Sequence, residues 1–324
     1  MPGLRSALFA PTGRAGYSQP LVAAAEVKAA IFGHAEFAAF TRTVDGLFAA
    51  WRRDNAPLLR GVARGGHPKR LIDTLSESLL DTFRAAPLLD AYDVYQRLMD
   101  YWAEAMQDDV YQIAQEGWQA ILDGKPNADL IPSALLVARY FAAEAAALTA
   151  LEAARDAITR QMEELAEEHG GQGELEEGLL ADARTDKGKL TAKSVKDRLR
   201  DIMAGADAGD ERAVLNDYLA LIDREAACNK KVKDAQKALE AKVTAQYAKL
   251  TESEVKTLVV DDKWLARFAA DVQDELDRVS QALTGRIKTL TERYATPLPA
   301  LTDDVAALTA RVDAHLAKMG FAWN

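Results

Sequence analysis

Basic side chains crowd one short stretch of this sequence. In RRDNAPLLRGVARGGHPKR, Arg60, Arg64, His67, Lys69 and Arg70 surround Gly65, Gly66 and Pro68. Glycine lets a main chain come close to a surface, and guanidinium groups donate forked hydrogen bonds to phosphate oxygens. The spacing therefore suits a loop that follows a nucleic-acid backbone. A solvated loop that balances the acidic helix after it is the plainer alternative. Nucleotide-phosphate loops of the GxxxxGK[ST] or GxGxxG kind are absent.

Other chemistry is sparse. His34, His67, His169 and His315 lie far apart, and none has a second ligand at metal-helix spacing, so no zinc or iron site is expected. Asp108 and Asp109 are adjacent; on a helix they point about 100° apart and cannot share a proton as a catalytic pair. Cys228 is the only cysteine, which excludes an intramolecular disulfide. No GxSxG nucleophile motif is present.

The elements that must position these residues are helical. Asp90 to Trp118 carries Tyr92, Tyr95, Met99, Trp102, Met106, Val110 and Ile113 at steps of three and four, which predicts one amphipathic helix around which the rest is organised. Ahead of it, Val27 and Ile31, then Phe37, Phe40, Val44, Leu47, Phe48 and Trp51, predict two segments broken near Gly33 and His34. Periodicity is lost from Arg52 to Arg70, and Leu71 to Phe83 reads as a further helix. Charge divides this region. Arg5 to Arg70 holds ten Lys/Arg against four Asp/Glu, and Leu71 to Leu130 three against twelve, within a chain of net charge −10 that argues against uniform coating of nucleic acid.

Beyond a break at Gly124 to Pro132, Ser133 is placed to cap a long helix in which Leu148, Leu151, Ile158, Met162 and Leu165 keep heptad-like spacing up to Gly170 and Gly171. A polar, glycine-dotted interval with the basic amphipathic piece KLTAKSVKDRLRDI forms the tip. A second long helix follows, with Leu215, Leu219, Ile222 and Ala226, a phase slip near Asn229, then Leu239, Val243 and Leu250. Thr251 and Glu254 have capping-box spacing. Leu265 to Tyr294 predicts a third long helix and Thr302 can cap a last one that ends in the apolar tail Phe321, Ala322 and Trp323; both are expected to pack along the hairpin. Phe321 and Trp323 are candidates for a partner interface, because apolar tails dock. The expected fold is all-α, with a helical domain carrying the basic loop over 1–130, an antiparallel coiled-coil hairpin with a polar tip over 131–250, and C-terminal helices over 251–324. No apolar run reaches the roughly 18 residues needed to span a bilayer and no leader pattern is visible, so a cytoplasmic location and no membrane partner are expected.

Several segments, in order, resemble the C-terminal portion of the modification (M) subunit of type I restriction-modification systems, an adenine-N6 DNA methyltransferase subunit. They are PTGRAGY with EVKAAIFGHAEF, LLDAYDVYQRLMDYWAEAMQDDVYQIAQEGW, LIPSALLVARYF with EEHGG, TLVVDDKWL, DRVSQALTGRIKTLTERYATPLPAL and HLAKMGFAW. The resemblance implies a non-catalytic role in assembly and DNA clamping: binding to the long helices of the specificity (S) subunit, association with the catalytic part of M, and contact with double-stranded DNA through the complex. In that family a preceding domain carries the S-adenosylmethionine loop and an NPP(F/Y) motif that holds the flipped adenine. This sequence contains no NPP tripeptide and no DPxxGSG-like loop, so no cofactor is expected on it, and alone it is expected to be inactive. S-adenosylmethionine belongs to the complete enzyme. The alternative is a free-standing helical coiled-coil scaffold with no DNA role.

Overall fold

The structure is a computed structural model that describes residues 1–13, 16–170, 178–185, 187–202, 209–294 and 298–321. It is all-α, 76% helical with 4% strand. In chain order, α1 (Pro2–Leu8) precedes the two-stranded antiparallel hairpin β1 (Phe9–Pro11) and β2 (Ser18–Pro20), then α2 (Val27–Phe32), α3 (Ala35–Arg60), α4 (Pro68–Phe83) and α5 (Ala91–Tyr101). A π-helical turn, Trp102–Met106, joins α5 to α6 (Gln107–Glu116). The short pair β3 (Ile121–Leu122) and β4 (Lys125–Pro126) leads to α7 (Ser133–Tyr140), α8 (Ala142–Glu168), α9 (Ala192–Ile202), α10 (Gly209–Tyr247) and α11 (Glu252–Lys256). A second π-helical segment, Thr257–Leu265, runs into α12 (Ala266–Arg293), and α13 (Leu298–Lys318) is last. The chain divides into two compact units, residues 1–117 with 260–324 and residues 118–259.

In the first unit, α3 buries Phe37, Phe40, Val44, Trp51 and Leu59, a single stripe at helical spacing. Its start is as expected: the chain breaks at Gly33, and His34 accepts the Glu36 N–H through Nδ1 at 3.1 Å. Its end is not, because α3 continues through Pro57 to Arg60 and places Arg60 on a helix. α4 contributes Leu71, Leu75, Leu79 and Phe83 to the same core.

The segment from Asp90 to Trp118 departs from a single straight helix. Val94, Leu98 and Tyr101 are buried in its first half, whereas Tyr92, expected in the stripe, is 71% exposed. Trp102, Met106, Val110 and Ile113 are buried in the second half, as expected. The π turn explains both observations. A π turn accommodates one extra residue, so the buried face jumps from the Val94–Leu98–Tyr101 phase to the Trp102–Met106–Val110 phase.

α12 was expected along the hairpin. Its buried face is instead taken up within the first unit by α2, α3 and α5, where Phe268 meets Phe48 and Trp51 edge-on with ring centres 5.7 and 5.3 Å away.

The second unit contains the coiled-coil hairpin. α8 and α10 run antiparallel, with Thr159 Oγ1 donating to Glu225 (3.2 Å), the Cys228 thiol donating to the Leu151 carbonyl (3.4 Å) and Lys242 on Glu144 (2.9 Å). Two details differ from the sequence reading. Pro132, not Ser133, is the N-cap, and the expected single helix turns by 100° at Phe141 into α7 and α8. Ala226 is exposed, and the seam passes instead through Tyr218, Ile222, the half-buried Glu225, Cys228 and Val232. The capping box at Thr251 and Glu254 is present as expected. No single helix among the described residues is long and apolar enough to cross a membrane.

Candidate functional site

The basic loop lies between α3 and α4, and the structure separates its five candidate side chains into two groups. The first group is used internally. Arg60 and Arg52 both bind Asp261, the latter at 3.3 Å. Arg64 reaches the end of α6, where its guanidinium donates to the Glu116 carbonyl at 2.6 Å, and the Gly65 N–H donates to the Ala114 carbonyl at 2.9 Å. The last carbonyls of a helix have no partner within it, so this loop caps α6 from outside while Gly117, at φ 82°, turns the chain away.

The second group faces solvent. His67 is the N-cap residue of α4, with Pro68 in the first turn, and its side chain makes no capping bond. His67, Lys69 and Arg70 are exposed around the first turn of α4. His67 and Arg70, with Val62, Arg64, Gly65, Gly66 and Thr74, border a concavity of about 410 Å³. Cations grouped at a helix N-terminus are matched to phosphate oxygens in charge and in available donors.

Comparison with protein-family models, with curated proteins and with solved structures finds no match. Function is therefore read from the residues themselves.

Two polar links centre on buried carboxylates, Asp109 and Glu275, whose partners were not singled out in the sequence. Asp109 accepts from Lys263 Nζ (2.9 Å at one oxygen, 2.7 Å at the other) and from Trp264 Nε1 (2.8 Å). Burial pushes its carboxyl above the ordinary range, against the pull of Lys263 and Trp264. Nearby, burial and the Asp109 charge push the Tyr101 phenol well above its usual value, and the Arg267 guanidinium lies 5.5 Å from its ring centre. The adjacency of Asp108 and Asp109 rightly argued against a shared proton; the partner of Asp109 lies 154 residues further on, where no local spacing could reveal it.

The second link joins α5 to α12. Glu275, 2% exposed in its side chain, binds Arg278 and Arg97, the latter at 3.0 Å, and Arg278 also holds Asp93 at 3.0 Å. Arg278 first, then Arg97, hold the Glu275 carboxyl below the ordinary range. The buried Glu275 carboxylate thereby fastens α5 to α12.

At the other extreme is α13, which was also expected to pack along the hairpin and instead buries no residue. Leu298, Leu301, Val305, Leu308 and Val312 follow strict steps of three and four, and Met319 continues the same seam one heptad beyond Val312. All six are exposed, Val305 by 63% and Met319 by 70%. The end of α12 shares the character, with Leu283, Leu290 and Tyr294 exposed. Phe321, a candidate interface residue, is 63% exposed; Trp323 lies outside the described residues.

Proposed function

We propose that this chain is a non-catalytic assembly region of a type I adenine-N6 DNA methyltransferase M subunit. Its C-terminal helices bind the long helices of the specificity subunit, and its basic loop follows the DNA backbone in the complex, beside the catalytic part of M. The observation that carries the reading is the uncovered heptad seam of α13. Such a seam buries itself only against other helices, and each Leu or Val removed from water contributes about 1.5 to 3 kcal/mol. The resemblance of the sequence segments supplies the partner's identity. Two of those segments, around Asp109 and TLVVDDKWL, meet in the Asp109–Lys263–Trp264 link, which supports reading them as parts of one structural unit.

S-adenosylmethionine carries a sulfonium cation and two ribose hydroxyls, which call for a carboxylate. The concavity at the basic loop is lined by Arg64, His67 and Arg70 with no carboxylate among its lining residues, so it does not fit that cofactor.

Co-expression with the specificity subunit encoded nearest to this gene, followed by size-exclusion chromatography with light scattering, tests the reading. A stable complex is expected, lost on replacing Val305→Asp together with Leu308→Asp while the helical circular dichroism of the rest persists. A chain that elutes alone beside its specificity subunit would overturn it. The internal use of Arg60 and Arg64 favours the second reading, a scaffold with no DNA role. That reading requires Lys69→Ala with Arg70→Ala to leave DNA affinity of the complex unchanged.

A further inference from the structure

At the far end of the coiled-coil hairpin, α9 is built as a basic strip on an otherwise acidic chain. One side of α9 enters a small core: Val195 and Ile202 are buried with Leu180, Ala183, Leu215 and Tyr218, and Leu199 packs beside them. The opposite side carries Lys193, Lys196 and Arg200, which fall within about 60° of one another around the helix. Lys187 and Lys189 immediately precede it, and all five are exposed.

The strip stands on a well-fixed base. The Thr185 N–H donates to the Lys189 carbonyl (2.9 Å), the Gly188 N–H donates to the Thr185 carbonyl (2.7 Å) with Gly188 at φ 71°, and Arg184 donates to the Gly188 carbonyl (3.2 Å). Thr191 and Ser194 cap the start of α9 reciprocally, at 3.0 and 3.1 Å. Arg198 points elsewhere and is consumed by Glu211 (2.6 Å) and Asp182 (2.8 Å). Asp197, at the edge of the basic face, is taken up by Arg200 at 3.0 Å. Among the described residues no carboxylate pairs with Lys187, Lys189, Lys193 or Lys196.

We propose that this lysine strip is a binding surface for the phosphate backbone of duplex nucleic acid. Four ammonium groups that pair with no carboxylate among the described residues, in a chain of net charge −10, are a local reversal of sign, and a polyanion is the partner that such a reversal selects. Lysines act as point charges on phosphate without reading bases, and the strip has no aromatic ring on which an unpaired base could stack, which favours a duplex over a single strand. An acidic protein partner would need an apolar anchor at the centre of its contact, and the exposed side of α9 offers none. The inference is independent of the partner reading above, because it uses no residue of the basic loop or of α13.

The test is fluorescence anisotropy of the full chain with a labelled 30-base-pair duplex across a salt series. The wild type is expected to bind weakly at low salt without sequence preference. Replacing Lys189, Lys193 and Lys196 by Ala should weaken binding about tenfold and flatten the salt dependence by about 0.9 per lysine removed, while replacement of all three by Arg retains it. The changes are on exposed positions, and unchanged thermal unfolding of the variants separates lost contact from lost fold. An alanine variant that binds as the wild type does, a wild type that ignores the duplex at low salt, or equal lysine-dependent binding to polyglutamate would each overturn the proposal. A chain that fails to capture the specificity subunit yet shows lysine-dependent duplex binding would sink the assembly reading and leave this one standing.

Discussion

Charge count alone treats Arg60, Arg64, His67, Lys69 and Arg70 as equivalent, and the structure shows that they are not. Arg64 is tied to the Glu116 carbonyl at the exposed end of α6, whereas Lys69 and Arg70 stand in solvent. Replacing Arg64 by Ala therefore removes a charge-assisted hydrogen bond from a helix terminus and should lower stability by about 1 to 2 kcal/mol. Lys69→Ala and Arg70→Ala should stay within about 0.5 kcal/mol of the wild type. Urea unfolding of the three single variants checks this ordering; equal stabilities for all three would mean that Arg64 is not a structural cap. A DNA-binding loss seen with Lys69→Ala and Arg70→Ala can then be assigned to electrostatics, while the same loss with Arg64→Ala mixes contact with stability. The distinction was hidden in the sequence because the acceptor is a backbone carbonyl 52 residues away, and carbonyls carry no sequence signature.

At the scale of elements, helix type was legible from periodicity, which acts within a turn or two, whereas of the caps read at Ser133, Thr251 and Thr302 only that at Thr251 is present, the others lying inside α7 and α13. Gly33 with His34 broke the chain where expected, and Thr251 with Glu254 formed its capping box. Errors arose where a helix changed its internal geometry. The π turn at Trp102–Met106 shifts phase by one residue, and a projection at 3.6 residues per turn carries the wrong tyrosine into the core. Assignment of α12 to the hairpin failed for a different reason: its apolar face is equally suited to any helix, and what selects α5 includes the buried Glu275 with Arg97 and Arg278. That link makes a pH prediction. Because Arg278 and Arg97 hold the Glu275 carboxyl below the ordinary range, the unfolded chain binds more protons than the folded one as pH falls through that range. The stabilisation is thus complete above the ordinary glutamate value of about 4.3 and is lost as pH falls towards and through the lowered value. Glu275→Gln should lower the urea midpoint clearly at pH 7 and much less near pH 3. An equal deficit at both values would show that the carboxylate charge does not hold α12 to α5.

For the whole molecule, the uneven distribution of apolar burial decides what the free chain does. Asp109, Lys263 and Trp264 close a buried link in the same unit to which α13 belongs, yet α13 buries nothing. A helix of 21 residues that buries no residue, and of which only the first turns border the β1–β2 hairpin, depends over most of its length on backbone bonds and side-chain propensities, which leave isolated helices marginal in water. In brief tryptic digestion of the free chain, the earliest cuts should therefore fall after Arg311 and Lys318, both exposed, with cuts after Lys263, largely buried against Asp109, much later. Binding to a helical partner would cover the Leu301, Val305, Leu308 and Val312 seam and should reverse the order for α13 by removing it from the open state that proteases capture. Mass spectrometry of the fragments with and without the specificity subunit reads this directly. Resistance of Arg311 equal to that of Lys263 in the free chain would mean that the seam is already covered, and the strongest argument for an assembly role would fall with it.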